Sequence, residues 1–186
     1  YLNSFMVMEL RAMAKILEKL GFDTKEVTYY KTEADQLIGK IQSECWDKRD
    51  AFFYSVDVDI KTRQFDWFHV GLGVFWKTLP IKIRVWSGFL PMLAEFATKE
   101  QAEKLIEHAN DEETFYSPYG ITTLSKDEKM FDLSVTINPS NWLGPIWSVA
   151  NYAVFKGMMN YGYYEEAKNL GKRAFKLLEE DLEKTG

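Results

Sequence analysis

Cysteine and histidine are almost missing from this sequence. Cys45 is its one cysteine, and His69 and His108 are its two histidines. A single thiol cannot form an internal disulfide, which excludes the disulfide framework of small secreted domains. A zinc site would have to recruit carboxylates at unrelated spacings. We therefore expect no metal site and no cofactor.

Long hydrophobic runs and blocks of like charge are missing as well. The sequence contains no run of about 18 apolar residues and begins with no basic segment followed by an apolar one. We therefore expect no membrane partner and a cytoplasmic location. The net charge is 23 − 28 = −5, and the acidic groups are scattered along the chain. Because no basic patch is visible, we expect no nucleic-acid partner.

Aromatic residues, in contrast, are abundant. They make up 16% of the chain, with six Trp, ten Tyr and thirteen Phe, and 46% of all residues are apolar. A chain of 186 residues with this composition can build the core of one ordinary globular domain. Aromatic rings can fill such a core, and they can also stack on the apolar C–H faces of sugar rings.

Helical periodicity is clear in the first quarter of the chain. From Leu2 to Leu20 apolar residues recur at spacings of three and four, and Gly21 follows as a helix-ending glycine. Thr32 is a suitable N-cap for a second helix that ends near Trp46. These two segments predict a first αα-hairpin.

The middle of the chain is less regular. Residues 46–59 combine a polar turn with an aromatic and β-branched run, which predicts a short strand or extended loop. Residues 65–86 have weak periodicity, and irregular backbone is expected there. A short helix near residues 88–96 and a capping-box helix from Thr98 to about Ala109 predict a second hairpin.

The last third combines a long loop with a third hairpin. Residues 115–141 are rich in Pro, Gly, Ser, Thr, Asn and Asp, which is typical of a long ordered loop. Pro145 fits the first position of a helix that ends at Gly162, and a last helix is expected from about Tyr164 to Glu183.

Three hairpins without a fixed sequence period indicate an all-α fold of the α-toroid kind, in which helix pairs circle a common axis. Six pairs close such a ring, so residues 1–186 are expected to form about half of an (α/α)6 toroid with a short β excursion. We interpret residues 1–186 as one partial catalytic domain that continues beyond both ends of this sequence. Its open apolar edge would be covered by the remainder of the same domain.

Several motifs, taken in order, carry a resemblance to a known group of enzymes. The clearest is Asn-Trp-Leu-Gly-Pro-Ile-Trp at residues 141–147, followed by Asn151-Tyr152 and a Tyr-Gly turn at residues 161–162. The sequence resembles the catalytic toroid of the trehalase and processing-glucosidase type of glycoside hydrolases, especially the mannosylglycerate-hydrolase-like members. Leu143 departs from the pattern, because an Arg is often found there. Supporting matches are Tyr1–Phe5, Trp46–Asp47, Phe52–Tyr54, Trp86–Pro91 and Ser117–Gly120.

The resemblance implies that the parent protein is an inverting α-glycosidase, glucosidase- or mannosidase-like, acting on an α-linked oligosaccharide or glycoside. Such chemistry needs a general acid and a general base about 6.5–9.5 Å apart. In the enzymes that the sequence resembles, the acid precedes the segment matching Tyr1–Asn3 and the base follows the last helix. The chain by itself is therefore expected to be inactive, and no catalytic residue is named. The acidic residues near its end fit the polar face of a helix: Glu179, Glu180, Asp181 and Glu183.

The predicted substrate-binding residues lie on loops and helix starts. Trp142 and Trp147 are expected to wall the sugar pocket, with core packing as the alternative, and Gly144 lets the backbone approach a ligand. Asn151 could contact substrate or bridge neighbouring backbone. The complete predicted set is Trp142, Trp147, Gly144, Asn151, Trp86, Arg84, Tyr54 and Tyr119.

The other members of this set have equally specific alternatives. Arg84, beside Trp86, could bind sugar hydroxyls or fix its loop by pairing with a carboxylate. Tyr54 and Tyr119 could line the rim of the pocket or belong to a satellite aromatic cluster. His69 could contact substrate or be a structural histidine.

A different function class also fits the sequence. A helical carbohydrate-binding or protein-interaction domain without catalytic groups would show the same aromatic content. A metal-dependent hydrolase is disfavoured. Asp57 and Asp59 lack the glycine and the later glutamate of a calcium loop.

Overall fold

The protein is mostly helical, as the sequence predicts. A computed structural model describes residues 1–58, 78–134 and 141–186. His69 and Asp59, considered above, lie outside the described residues. In the described part the helices are α1 (Leu2–Lys19), α2 (Thr24–Glu44), α3 (Leu90–Leu93), α4 (Lys99–Asn110), α5 (Ser148–Asn160) and α6 (Tyr164–Thr185). None of these helices is long and apolar enough to cross a membrane.

Short strands form three antiparallel pairs between the helices. They are β1 (Trp46–Asp47), β2 (Phe52–Phe53), β3 (Ser55–Val58), β4 (Thr78–Ile81), β5 (Tyr116–Ser117) and β6 (Gly120–Ile121). β1 pairs with β2, β3 with β4, and β5 with β6. The extended excursion expected after Trp46 is confirmed, and the predicted long loop contains the β5–β6 hairpin.

The first predicted hairpin is confirmed, but its second helix begins earlier than expected. Gly21 adopts φ +73°, and the amide of Phe22 donates to Leu17 O at 3.0 Å, which ends α1. The Asp23 side chain then accepts from Lys25 N at 3.0 Å and caps α2. Thr32 is therefore inside α2, and its prediction as the N-cap is wrong.

The prediction of a second hairpin is wrong, because its two helices pack mainly on other elements. A 3₁₀ turn (Trp86–Phe89) leads into α3, which is a single turn that lies mainly against α5. α4 instead contacts β2 and β5. The capping box is confirmed, because Gln101 N donates to Thr98 Oγ1 at 3.2 Å and Thr98 N donates to Gln101 Oε1 at 2.8 Å.

α5 and α6 form the third predicted hairpin, joined at Gly162 with φ +82°. α5 begins at Ser148, so Pro145 is not its first residue. The residues directly before α5 are not helical. Pro145 O accepts the Thr123 hydroxyl at 2.9 Å, and Trp147 is extended, with φ −116° and ψ 127°.

Three aromatic rings form the centre of the core. Phe52, Phe89 and Phe115 are fully buried, and their centroids lie 4.9–5.6 Å apart. They join β2, the 3₁₀ turn and the segment before β5. Gly88 packs directly on this cluster, where a Cβ would overlap the Phe52 ring and lie 2.8 Å from Phe53 O. The close approach of these segments therefore depends on a glycine.

We expect Gly88→Ala to destabilise the fold strongly, by about 1–3 kcal/mol or more, because the added methyl group overpacks the aromatic core. Gly39→Ala is the matched control, since its Cβ would meet nothing within 4 Å on the helix α2. The control should stabilise by up to about 1 kcal/mol through helix propensity. Chemical denaturation of both variants measures the two changes, and equal effects would contradict this packing.

We also expect stability to fall as the pH rises above 10. Burial raises the pKa of Tyr161 to about 12, and its hydroxyl donates to Ala97 O at 2.7 Å. The unfolded chain ionises its tyrosines near pH 10, before the folded chain does, so alkaline pH favours unfolding. Tyr161→Phe should lose about 1 kcal/mol at neutral pH and show a shallower alkaline decline. Thermal unfolding across this pH range distinguishes the two proteins, and parallel declines would count against the buried hydroxyl.

Candidate functional site

Three tryptophans stack into one feature, here called the indole ladder (Trp86, Trp142 and Trp147). Trp86 begins the 3₁₀ turn, and the other two lie on the loop before α5. The rings of Trp142 and Trp147 are nearly parallel, with centroids 4.3 Å apart and an angle of 9°. Trp86 lies on Trp142 at 6.1 Å and 28°. Tyr1 approaches Trp86 at 6.2 Å. The structure therefore brings together three of the predicted site residues.

The stacking limits how a ligand could meet these rings. Centroids 4.3 Å apart are in direct contact, so no sugar ring fits between Trp142 and Trp147. The Nε1–H of Trp147 is also occupied, because it donates to Asn141 O at 2.8 Å. Trp142 nevertheless remains 39% exposed. A ligand would meet the solvent-facing surface of the ladder and not a slot inside it.

Asn141 organises the loop that carries Trp142. Its Nδ2 donates to Asp132 O at 2.9 Å and Ser134 O at 3.1 Å, and its Oδ1 accepts Leu143 N at 2.8 Å. Asp132 N in turn donates to Leu143 O at 2.7 Å. These contacts explain how a segment without regular secondary structure can present a tryptophan in a defined position.

Gly144 is required by both its conformation and its neighbours. Its φ is +146°, in the region that favours glycine. A Cβ would also lie 2.8 Å from Cε2 of Phe131. The glycine thus allows the loop that carries Trp142 to pack on Phe131.

Thr123 links both segments that carry the ladder, and sequence reasoning missed it. Thr123 O accepts Trp86 N at 2.9 Å. Its hydroxyl donates to Pro145 O at 2.9 Å and accepts Gly144 N at 3.3 Å. A single threonine in a long polar loop gives no recognisable signal, because its role depends on segments that are distant in sequence.

Asn151 lies beneath the ladder, 4% exposed, on the first turn of α5. Its Oδ1 accepts Ile121 N at 2.8 Å, and its Nδ2 donates to Ile121 O and Trp147 O, both at 3.1 Å. All of these partners are backbone groups. In this structure the amide therefore bridges β6 to the residue before α5.

Arg84 is held in the strand-like segment that leads to Trp86. Its Nη2 pairs with Asp127 Oδ2 at 2.9 Å, and its backbone N donates to Glu128 Oε1 at 2.8 Å. Its Nε is buried without a hydrogen-bond partner. The guanidinium is thus held by Asp127, and its one unpaired nitrogen is buried.

The two predicted rim tyrosines do not lie with the tryptophans. Tyr54 is 4% exposed and donates to Asp50 Oδ2 at 3.2 Å. Burial raises the pKa of Tyr54 to about 12, although the nearby Arg84 opposes this shift. Tyr119 donates to Glu180 Oε2 at 2.8 Å on α6, which raises the pKa of Tyr119 and lowers that of Glu180.

Ligating side chains do not cluster in the described part of the chain. No group of three or more His, Cys, Asp or Glu residues there could hold a metal ion. Asp47 and Asp50 both pair with Lys82, with distances of 2.5 and 2.8 Å, so this acidic pair has an internal counter-ion. Their carboxylates therefore hold the β1–β2 turn to Lys82.

Solved structures share the fold at low sequence identity. A mannosylglycerate hydrolase from Thermus thermophilus matches with a TM-score of 0.69 and 21% identity, over 96% of this chain and 37% of the other. Neutral trehalase from Saccharomyces cerevisiae matches with a TM-score of 0.67 and 19% identity, over 92% of this chain and 29% of the other. Both likenesses show the toroid fold.

Curated relatives are similar in sequence over most of the chain. An uncharacterised protein of Borreliella burgdorferi is 25% identical over 84% of this chain and 28% of its own length. A probable mannosyl-oligosaccharide glucosidase of Schizosaccharomyces pombe is 26% identical over 86% of this chain and 18% of its own length. The chain thus spans less than a third of these relatives. The model of the mannosylglycerate hydrolase MGH1-like glycoside hydrolase domain matches residues 1–185, so the chain belongs to this family of glycoside hydrolase domains.

Proposed function

We propose that the chain is part of the catalytic toroid of an inverting α-glycosidase, glucosidase- or mannosidase-like, and supplies an aromatic wall of its substrate pocket. The indole ladder is the observation that carries this proposal. Three stacked indoles, with Trp142 at 39% exposure, form an apolar feature that extends from the edge of the core to solvent. Sugar rings present apolar C–H faces to surfaces of this kind.

Polar groups next to the ladder fit the hydroxyl edges of a sugar. Arg84 lies two residues before Trp86, and its guanidinium is held by Asp127 while the side chain remains 23% exposed. A guanidinium fixed in this way loses little freedom when it binds a hydroxyl. The proposed wall thus combines apolar ring surface with a preorganised donor, as small-molecule sites commonly do.

A partial toroid is supported by coverage and by the exposed apolar faces. The chain matches over 96% of its length but spans 37% of the Thermus thermophilus enzyme chain. Large apolar side chains are exposed along the helices, where further helices of a ring would cover them. They include Leu2, Met6, Met13 and Ile16 on α1, Val149 and Tyr152 on α5, and Phe175, Leu178 and Leu182 on α6. We propose that residues 1–186 form about half of the ring.

The catalytic carboxylates are proposed to come from other parts of the parent protein. Inverting hydrolysis requires an acid and a base about 6.5–9.5 Å apart, on opposite faces of the sugar. Two described carboxylates that follow β6, Asp127 and Glu128, already have partners, since Asp127 pairs with Arg84 and Glu128 accepts Arg84 N. Glu180 is engaged by Tyr119 and by two lysines, Lys176 and Lys184.

We expect the 186-residue chain to release no product from nitrophenyl α-glucoside or α-mannoside above the blank, because the acid and base are proposed to lie in other parts of the parent protein. Turnover by the pure chain would contradict the proposal, and a Glu180→Gln variant would show whether the acidic end of α6 is responsible. The parent protein should hydrolyse one of these sugars. Sugar binding without hydrolysis by the parent would favour a carbohydrate-binding domain instead.

We expect methyl α-glucoside or methyl α-mannoside to change the tryptophan fluorescence of the chain in a saturable way. Trp142→Ala should weaken this binding about tenfold, because stacking on an aromatic ring contributes about 0.5–1.5 kcal/mol beyond the buried area. Trp46→Phe is the matched control, since Trp46 packs on Phe53 and is not part of the ladder. An unchanged affinity in Trp142→Ala would remove the ladder from the site.

A further inference from the structure

A buried arginine on α6 contacts the hairpin that supports the ladder. Arg173 is 8% exposed, and its Nη1 donates to Ser117 O at 2.6 Å and Gly120 O at 2.8 Å. We propose that Arg173 is a positioning residue, which sets the geometry of the indole ladder through the β5–β6 hairpin and Asn151. Its effect on sugar binding rests on the function proposed above.

In the first step, Arg173 holds the β5–β6 hairpin by hydrogen bonds. The two carbonyls that it binds belong to residues paired across β5 and β6, Ser117 and Gly120. Its Nε is oriented by Asn169 Oδ1 at 3.0 Å, and its guanidinium carbon lies 4.2 Å from the ring centroid of Tyr116. A planar fork that stacks and bridges two carbonyls cannot be reproduced by the ammonium of a lysine.

The second step passes from the hairpin to Asn151. Gly120 has φ +129°, and a Cβ there would collide with Asn151 Oδ1, so the turn and the amide are in direct contact. The next residue, Ile121, donates its backbone N–H to Asn151 Oδ1 and accepts Asn151 Nδ2 at its carbonyl oxygen. The same amide holds Trp147 O at 3.1 Å. The hairpin therefore sets where Asn151 lies, and Asn151 sets where the backbone of Trp147 lies.

The third step passes from β6 to Thr123, which lies beyond the end of this strand. This residue follows Ile121 by two positions and binds the backbone on both sides of the ladder, at Trp86 N and Pro145 O. The loop with Trp142 and the 3₁₀ turn with Trp86 thus attach to the segment that directly follows the strand bound by Arg173. A shift of this strand would move both attachments.

The burial of Arg173 allows its effect on the position of the indoles to be distinguished from its effect on the stability of the fold. Burial lowers the pKa of the Arg173 guanidinium, and its Nη2 is buried without a hydrogen-bond partner. An unpaired buried donor is costly, so removing the guanidinium also removes this cost. Gly120 O keeps the Ser117 hydroxyl at 3.1 Å, and only Ser117 O loses its side-chain donor. We therefore expect Arg173→Met to disturb the ladder more than it disturbs the fold.

The test compares Arg173→Met with Lys172→Met, an exposed residue of the same helix. Near-ultraviolet circular dichroism reports the packing of the stacked indoles, and far-ultraviolet dichroism reports the fold. Arg173→Met should retain the helical signal, lose a substantial part of the tryptophan signal, and bind methyl α-glucoside or methyl α-mannoside about tenfold more weakly. Lys172→Met should match the unmodified chain. Arg173→Lys should resemble Arg173→Met, because it keeps the charge without the fork.

A double-mutant cycle shows whether Arg173 acts through the ladder. In the Trp142→Ala background, Arg173→Met should cause little further loss of sugar affinity. Additive losses, or an unchanged tryptophan signal in a folded Arg173→Met protein, would overturn the inference. If the unmodified chain binds neither sugar, the proposed function fails, and the dichroism comparison still decides whether Arg173 positions the indoles. If Arg173→Met does not fold, Asn169→Ala, which removes only the Nε partner, provides the same comparison.

Discussion

The structure around the site depends on one constraint: the backbone polar groups of a short buried segment, residues 120–123, must all find partners. Unpaired buried amides and carbonyls are costly, and β5 and β6 are too short to satisfy them by strand pairing alone. Side chains complete the pairing. Asn151 satisfies Ile121 on one side, Arg173 satisfies Gly120 O on the other, and Thr123 reaches the loop before α5. Two helices, a loop and a 3₁₀ turn are therefore joined at residues 120–123, which explains why an irregular region can hold three large rings in a defined stack.

The ladder follows from this arrangement. Indoles carried on free loops would lose considerable conformational freedom on stacking, and the gain from one aromatic pair is only about 0.5–1.5 kcal/mol. Here that freedom is already restricted by the backbone contacts of Trp86 and Trp147 and by the side-chain contacts of Asn141. A preorganised apolar surface is the result, and preorganisation is what a weakly apolar ligand such as a sugar needs for useful affinity.

Local sequence signals predicted local structure well and long-range pairing poorly. Gly21 and the Thr98 capping box act within one helical turn, and both were predicted correctly. Thr32 and Pro145 also carry good local signals for helix starts, but these predictions were wrong. Asp23 caps α2 first, and Thr123 holds Pro145 in a different conformation. The tryptophans were predicted as site residues from a motif. The stacking of Trp86 on Trp142 and the role of Arg173 depend on contacts between segments distant in sequence, and no spacing rule reports such contacts.

The relation between the ladder and the exposed helix faces bears on how a complete site could be built. Tyr1 approaches Trp86 at 6.2 Å, so the ladder meets the start of α1, and α1 presents Leu2 and Met6 to solvent. Helices that cover this apolar face in a closed ring would therefore also border the ladder. A sugar on the outer surface of the indoles would then be reached by groups from the covering helices, which is where the proposed acid and base must lie to face each other across it. The same apolar contacts that complete the fold would then also complete the active site. The wall supplied by this chain would be able to bind a sugar without these contacts, but hydrolysis would require them.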